Sequence, residues 1–303
     1  MSTGLLYFLV VLIWGSSWIG IEYQLGVVAP ELSIAYRFLL SSVMLAGFCL
    51  ATRRSLRFSW RAHLLMAAQG LTLFCLNYLM FYWSAGYLTS GLMAIVFSTM
   101  TVMNLINGAI LFRHPIDRRV GAGALLGLIG LSCVFWPEIA GFDASSTAMI
   151  GLLLSLAGTF LASLGNMVSV KLKAEEIPVI QSNTIGMAYG AIGSLLLAVI
   201  GGASFAYDPH PSYSISLFML ALFASVIGFT CYLTLVQRLG AGQAAYTTVL
   251  FPIVALGIST FVENYHWTIL AVIGIALVLC GNLLVLRRRG AVRLRRIGSP
   301  AQS

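Results

Sequence analysis

Charge is scarce in this chain, and acidic charge is the scarcest. Nine Asp and Glu stand among 303 residues, against seventeen Lys and Arg. None of the nine falls inside an apolar run; Glu22, Glu31, Glu138, Asp208 and the rest all flank one. The four histidines (His63, His114, His210, His266) are placed in the same way. No H-E-x-x-H, apposed mid-run aspartates or Ser–His pair is present, so intramembrane hydrolysis lacks its chemistry and no enzyme is expected. There is no phosphate-binding Walker loop for ATP. Cys49, Cys75, Cys133, Cys231 and Cys280 stand singly with no C-x-x-C. Neither a disulfide framework nor a metal site is expected, and no cofactor is implied. No stretch between apolar runs is long enough for a separate domain.

What is abundant is apolar surface: 59% hydrophobic residues, 9% charged, and a mean hydropathy of +0.95. Soluble domains carry roughly 25% charged residues, so this is a polytopic membrane protein. A bilayer core is crossed by about 20 apolar residues. Ten such segments fit, near 4–22, 31–52, 62–83, 88–112, 119–136, 149–170, 179–202, 214–237, 242–262 and 266–286. All are expected to be helices, because backbone groups in hydrocarbon must bond within their own segment. The first span has no basic leader or cleavage site before it and is read as retained.

The net charge of +8 suggests nucleic acid only until the basic residues are mapped. Arg53, Arg54, Arg57 and Arg61 follow the second span; Arg113, Arg118 and Arg119 the fourth; Lys171 and Lys173 the sixth; Arg238 the eighth. Six arginines follow the tenth, in the tail 287–303. Arg37 alone stands outside this set. The one-sided pattern places both termini in the cytoplasm of a bacterial inner membrane, and no nucleic-acid partner is expected.

A faint repeat relates the halves. At an offset of 151, Gly91 falls on Gly242, Ala94 on Ala245, and Gly123 and Gly130 on Gly274 and Gly281. Five spans per half is an odd number, so the second half is inverted in the membrane, an arrangement of secondary transporters with the solute site at the midplane. The "WGS" of span 1, "PELSIAYRFLL" entering span 2, "AGYLTSGLMAI" across spans 3 and 4, and "GAGQAAYTTVLFPI" followed by Glu263 resemble the EamA family of the drug/metabolite transporter superfamily. The likeness extends to its YddG-like, amino-acid-exporting branch. It implies an all-α integral membrane fold of ten transmembrane helices, as two inverted five-helix repeats (1–136 and 149–286) around a central cavity. Helices 1, 3, 4, 6, 8 and 9 would line that cavity. The repeat is degenerate, with Thr101 where the second half has Pro252 and Phe112 where it has Glu263.

Several polar stripes are candidates for that lining. Trp14 lies about 15 Å along span 1, with Ser17 and Trp18 close by on the same helix. An indole N–H in lipid has no partner, so this face points inward. Asn77, Tyr78, Phe81 and Tyr82 form one face of span 3. Ser98, Thr101 and Asn104 recur at steps of three on span 4, and Ser163 and Asn166 continue a stripe from Ser155 and Thr159 on span 6. Span 9 adds Tyr246 and Pro252, whose missing N–H frees a carbonyl. Against each stripe stands packing between helices. Arg37, about 9 Å inside Glu31, reads as a structural arginine reaching Glu31, Glu22 or carbonyls, or as a gate or a partner for a substrate carboxylate.

The lining is polar but uncharged, which suits a small polar or zwitterionic solute. The expected function is export of amino acids, aromatic ones included, or related small metabolites, by alternating access and gradient-driven facilitation in a monomer. Proton-coupled members of the superfamily use a buried carboxylate, and its absence sets a broad drug exporter second.

Overall fold

A computed structural model describes residues 1–17, 20–21, 23–24, 26–88, 90–113, 116–142, 146–262 and 268–286. Among them every regular element is helical. Six helices are long and apolar enough to cross a bilayer: α2 (Pro30–Ala51), α3 (Trp60–Ser84), α4 (Leu92–Phe112), α6 (Thr147–Ala174), α7 (Val179–Ile200) and α8 (Pro211–Leu239). Shorter helices are α1 (Thr3–Ser16), α5 (Arg118–Val134), α9 (Thr247–Val262) and α10 (Ile269–Leu286). Short helical turns, Trp136–Ala140 and Ala241–Ala245, precede α6 and α9.

Local chemistry sets the ends. Ser2, Ser59 and Asp117 cap α1, α3 and α5 by accepting from Leu5, Ala62 and Arg119 N–H groups. Pro30 and Pro211 open α2 and α8 where a missing N–H costs nothing. Arg113, φ 54°, ends α4, and Gly240, φ 90°, ends α8. The expected span 4–22 is shorter among the described residues, since a turn at Ser17 ends α1.

The helices pack pairwise through small residues, as helices in lipid do. The tightest seams are α5 against α10 and α2 against α7. A Cβ on Gly130 would stand 2.5 Å from the Gly274 carbonyl, so this crossing tolerates no side chain. Helix α1 lies against α8 and α9, and α6 lies against α3 and α4. One feature was not legible in the sequence. Both α3 and α8 widen into π-helical stretches, at Gly70–Leu76 and Leu220–Phe229. The basic loops gather at one end, where the Arg238 guanidinium donates to the Met1 carbonyl at 2.9 Å.

Candidate functional site

The two π stretches face a common cavity of about 110 Å³. At about 10–15 Å³ of such space per water, it holds several waters or a small solute that displaces them. Such π distortions interrupt the regular side-chain ladder and recur at functional sites. Here they bring Leu73 and Asn77 from α3 and Phe229 and Tyr232 from α8 to the wall. Helix α1 contributes Trp14 and Ser17, and α3 adds Tyr78 and Phe81. Phe97 and Met100 of α4, Ala162 of α6 and Phe251 of α9 complete an aromatic enclosure.

Trp14 is partly buried and is held from the α8 side. Its indole N–H donates to the Ala224 carbonyl at 3.1 Å, within the π stretch of α8. Its ring lies 5.1 Å from that of Phe229 and 4.9 Å from that of Tyr232. A Cβ on Gly228 would come within 2.7 Å of the indole nitrogen, so a glycine there makes the approach possible. Ser17 turns inward to bond the Trp14 carbonyl.

Arg37 is 3% exposed and reaches the cavity from α2. Its Nε donates to Ser225 at 2.9 Å and one terminal nitrogen to the Tyr78 hydroxyl at 3.4 Å. The guanidinium stacks over Tyr78 and Phe38, 5.0 and 5.4 Å from their ring centres. The other terminal nitrogen, Nη1, is buried without a partner. No ion pair to Arg37 occurs among the described residues, Glu31 included; Glu22 lies outside them. A buried cation in hydrocarbon costs about 2.5–3.5 kcal/mol or more. Stacking on two desolvated rings returns part of that, roughly 2 kcal/mol.

The other stripes turn to different work. Ser98 donates to the Thr248 carbonyl at 3.0 Å. That carbonyl lies four residues before Pro252, which has no N–H to offer it, so Ser98 replaces the missing donor. Tyr246 donates to the Val278 carbonyl and ties α9 to α10. Ser163 accepts from Asn107. Tyr82 packs beside the hydrophobic core without reaching the cavity, and Thr101 is fully buried. Trp18 lies outside the described residues. Ser98, Thr101, Ser163, Tyr246 and Pro252 are likewise set back from the wall. Sequence reasoning missed Phe229, Tyr232 and Phe251; an aromatic at i and i+3 on span 8 was the available signal.

Asn104 and Asn166 form a polar layer below the cavity. Asn166 Nδ2 donates to the Tyr232 hydroxyl at 2.8 Å and lies 3.5 Å from Asn104 Oδ1. Asn104 donates to the Ala241 carbonyl at 3.0 Å. Beyond this layer opens a vestibule of about 460 Å³ at the basic-loop end, with Asn104, Lys173 and Arg238 among its walls. Two chambers, one aromatic and one open to the basic end, are thus parted by a single hydrogen-bonded layer.

Apolar helices around a solute-sized chamber are the arrangement expected of a membrane transporter. The EamA-like transporter family model matches residues 1–136 and again 148–287, and the chain belongs to that family. It is 25% identical over 280 residues to Protein PagO of Salmonella typhimurium, covering 88% of this chain and 86% of that one. It is 24% identical over 302 residues to a probable amino-acid metabolite efflux pump of Escherichia coli, covering 96% and 98%. The uncharacterized transporter YvbV of Bacillus subtilis is 25% identical over 299 residues, covering 98% and 95%. A solved crystal structure shares the fold, with a TM-score of 0.75 at 18% identity over 94% of this chain and 96% of its own.

Proposed function

We propose that this protein exports amino acids or closely related small carboxylated metabolites across a bacterial inner membrane. The observation that carries the reading is Arg37, a buried cation on the wall of an aromatic cavity with a free N–H and, among the described residues, no carboxylate partner. A solute carboxylate supplies both the missing hydrogen-bond acceptor and the counter-charge. The name of the Escherichia coli relative, a probable amino-acid metabolite efflux pump, points the same way.

The working architecture is ten spans in two inverted five-helix repeats. Three observations support it. The family model matches the chain twice. The π stretches fall at equivalent places in spans 3 and 8. The packing is also reciprocal: α1 sits against α8 and α9 while α6 sits against α3 and α4. Such repeats rock against each other around a fixed site. Transport is gradient-driven, by a monomer, with both termini on the cytoplasmic side. The layer of Asn104, Asn166 and Tyr232 closes the site toward that side, and Arg37 closes over the bound carboxylate.

The test is counterflow of a labelled amino-acid panel, phenylalanine included, in proteoliposomes with no ion gradient imposed. Accumulation of at least one amino acid is expected. Arg37→Gln places an amide donor where Nε meets Ser225, but it is too short for Tyr78 and loses the charge. It should lower the rate about tenfold or more, the equivalent of one charged hydrogen bond. Silence across the panel, or a variant as active as the original, overturns the reading.

A further inference from the structure

Two residues that line the central cavity each keep a buried side-chain atom without a hydrogen-bond partner, and the two atoms are opposite in kind. One is Nη1 of Arg37, a charged donor; the other is Oδ1 of Asn77, a neutral acceptor. Every other polar side chain described on that wall is engaged. The Trp14 indole is bound to Ala224, and Ser17 to Trp14. The hydroxyls of Tyr78 and Tyr232 accept from Arg37 and Asn166. Arg37 and Asn77 are 3% and 5% exposed, so neither finds its missing partner in bulk water. Buried polar groups are almost always paired, and an unpaired donor and an unpaired acceptor on residues of one cavity ask for a ligand that carries both complements.

The two residues line the same cavity. Asn77 is the first residue after the π stretch of α3, and its neighbour Tyr78 is the ring on which the Arg37 guanidinium stacks, 5.0 Å away. A half turn about the Asn77 Cβ–Cγ bond exchanges amide oxygen and nitrogen, so the carbonyl can face the cavity without any shift of the helix.

We propose that Asn77 is the ammonium-binding half of the substrate site, with Arg37 as its carboxylate-binding half, so that the cavity selects α-amino acids over acids and amines bearing the same side chain. This rests on the transport reading above. A deaminated acid satisfies Arg37 but leaves the Asn77 carbonyl unpaired, and a site built for an N–H strongly rejects the analogue that lacks it. A decarboxylated amine meets Arg37 as a like charge, and among the described residues no acid stands on the wall to offset it. Trp14, Phe229 and Tyr232 line the same cavity, and aromatic rings there favour an ammonium by cation–π attraction.

The experiment is competition against labelled phenylalanine counterflow in proteoliposomes holding the full chain. The competitors are unlabelled phenylalanine, 3-phenylpropionate and 2-phenylethylamine. Phenylalanine should compete at least tenfold better than either analogue. In Asn77→Leu its advantage over phenylpropionate should vanish, while thermal unfolding in detergent stays close to that of the unaltered protein. Asn77→Asp, which keeps an acceptor, should retain phenylalanine and admit phenylethylamine. Equal competition by phenylpropionate and phenylalanine in the unaltered protein overturns the ammonium site and leaves the transport reading standing. So does an Asn77→Leu variant that keeps its discrimination. Absence of phenylalanine and all other amino-acid counterflow overturns both.

Discussion

Trp14 shows how a single side chain earns a midplane position. Its indole N–H satisfies a carbonyl of the neighbouring π stretch, and its ring joins Phe229 and Tyr232. These two contributions separate by substitution. Trp14→Phe keeps most of the ring and loses the hydrogen bond, an expected cost of about 0.5–1.5 kcal/mol. Trp14→Ala also empties a large buried volume, an expected cost of about 3–5 kcal/mol. Thermal unfolding in detergent ranks the two; equal losses would mean that the hydrogen bond dominates and the ring contributes little. Arg37 and Asn77 differ from Trp14 in kind, because each keeps an atom with no partner in the protein.

Between elements, the decisive contacts are those that hold the cavity shut at the basic end. Helices α4, α6 and α8 each send one polar side chain, Asn104, Asn166 and Tyr232, into one layer. Asn166 Oδ1 remains unpaired within it, so the layer is less than fully satisfied and costs less to open. Asn166→Ala should loosen it. A cysteine placed at Ala162, on the cavity wall, in a protein otherwise free of cysteine should then react faster with a charged thiol reagent added from the basic side. An unchanged rate would assign the barrier to the surrounding apolar packing instead. Ser98 and Pro252 illustrate the same scale differently. A proline in α9 orphans the Thr248 carbonyl, and a serine on α4 answers it, so two residues that read as site lining from sequence are a structural pair.

For the whole molecule, the end that holds the basic loops also holds the N-terminus, through the contact of Arg238 with Met1. The positive-inside rule predicts that this end faces the cytoplasm. Reporter fusions check it: a fluorescent protein after Ser303 should fold and fluoresce, and alkaline phosphatase fused at Gly202 should be active. The opposite pattern would invert the orientation and the assignment of the closed side. Membrane class, the positions of the apolar runs and the polar-aromatic faces of spans 1 and 3 were legible in the sequence, because each depends on composition or on spacing within one helix. Trp14, Ser17, Asn77, Tyr78 and Phe81 were marked in that way, and all five stand on the cavity wall. The stripes on spans 4, 6 and 9 have the same spacing, yet Ser98, Ser163 and Tyr246 bond neighbouring helices instead. Periodicity defines a face but not what that face meets. Which stripe becomes glue and which becomes wall depends on how each helix is rotated against partners distant in the chain. The π stretches depend on such contacts too, since π and α turns share nearly the same backbone angles and differ by one residue in hydrogen-bond register. The sequence by itself therefore determined a polytopic helical membrane protein with inward polar faces. Only tertiary packing decided that Arg37 meets Ser225 and Tyr78, with one terminal nitrogen left unpaired among the described residues.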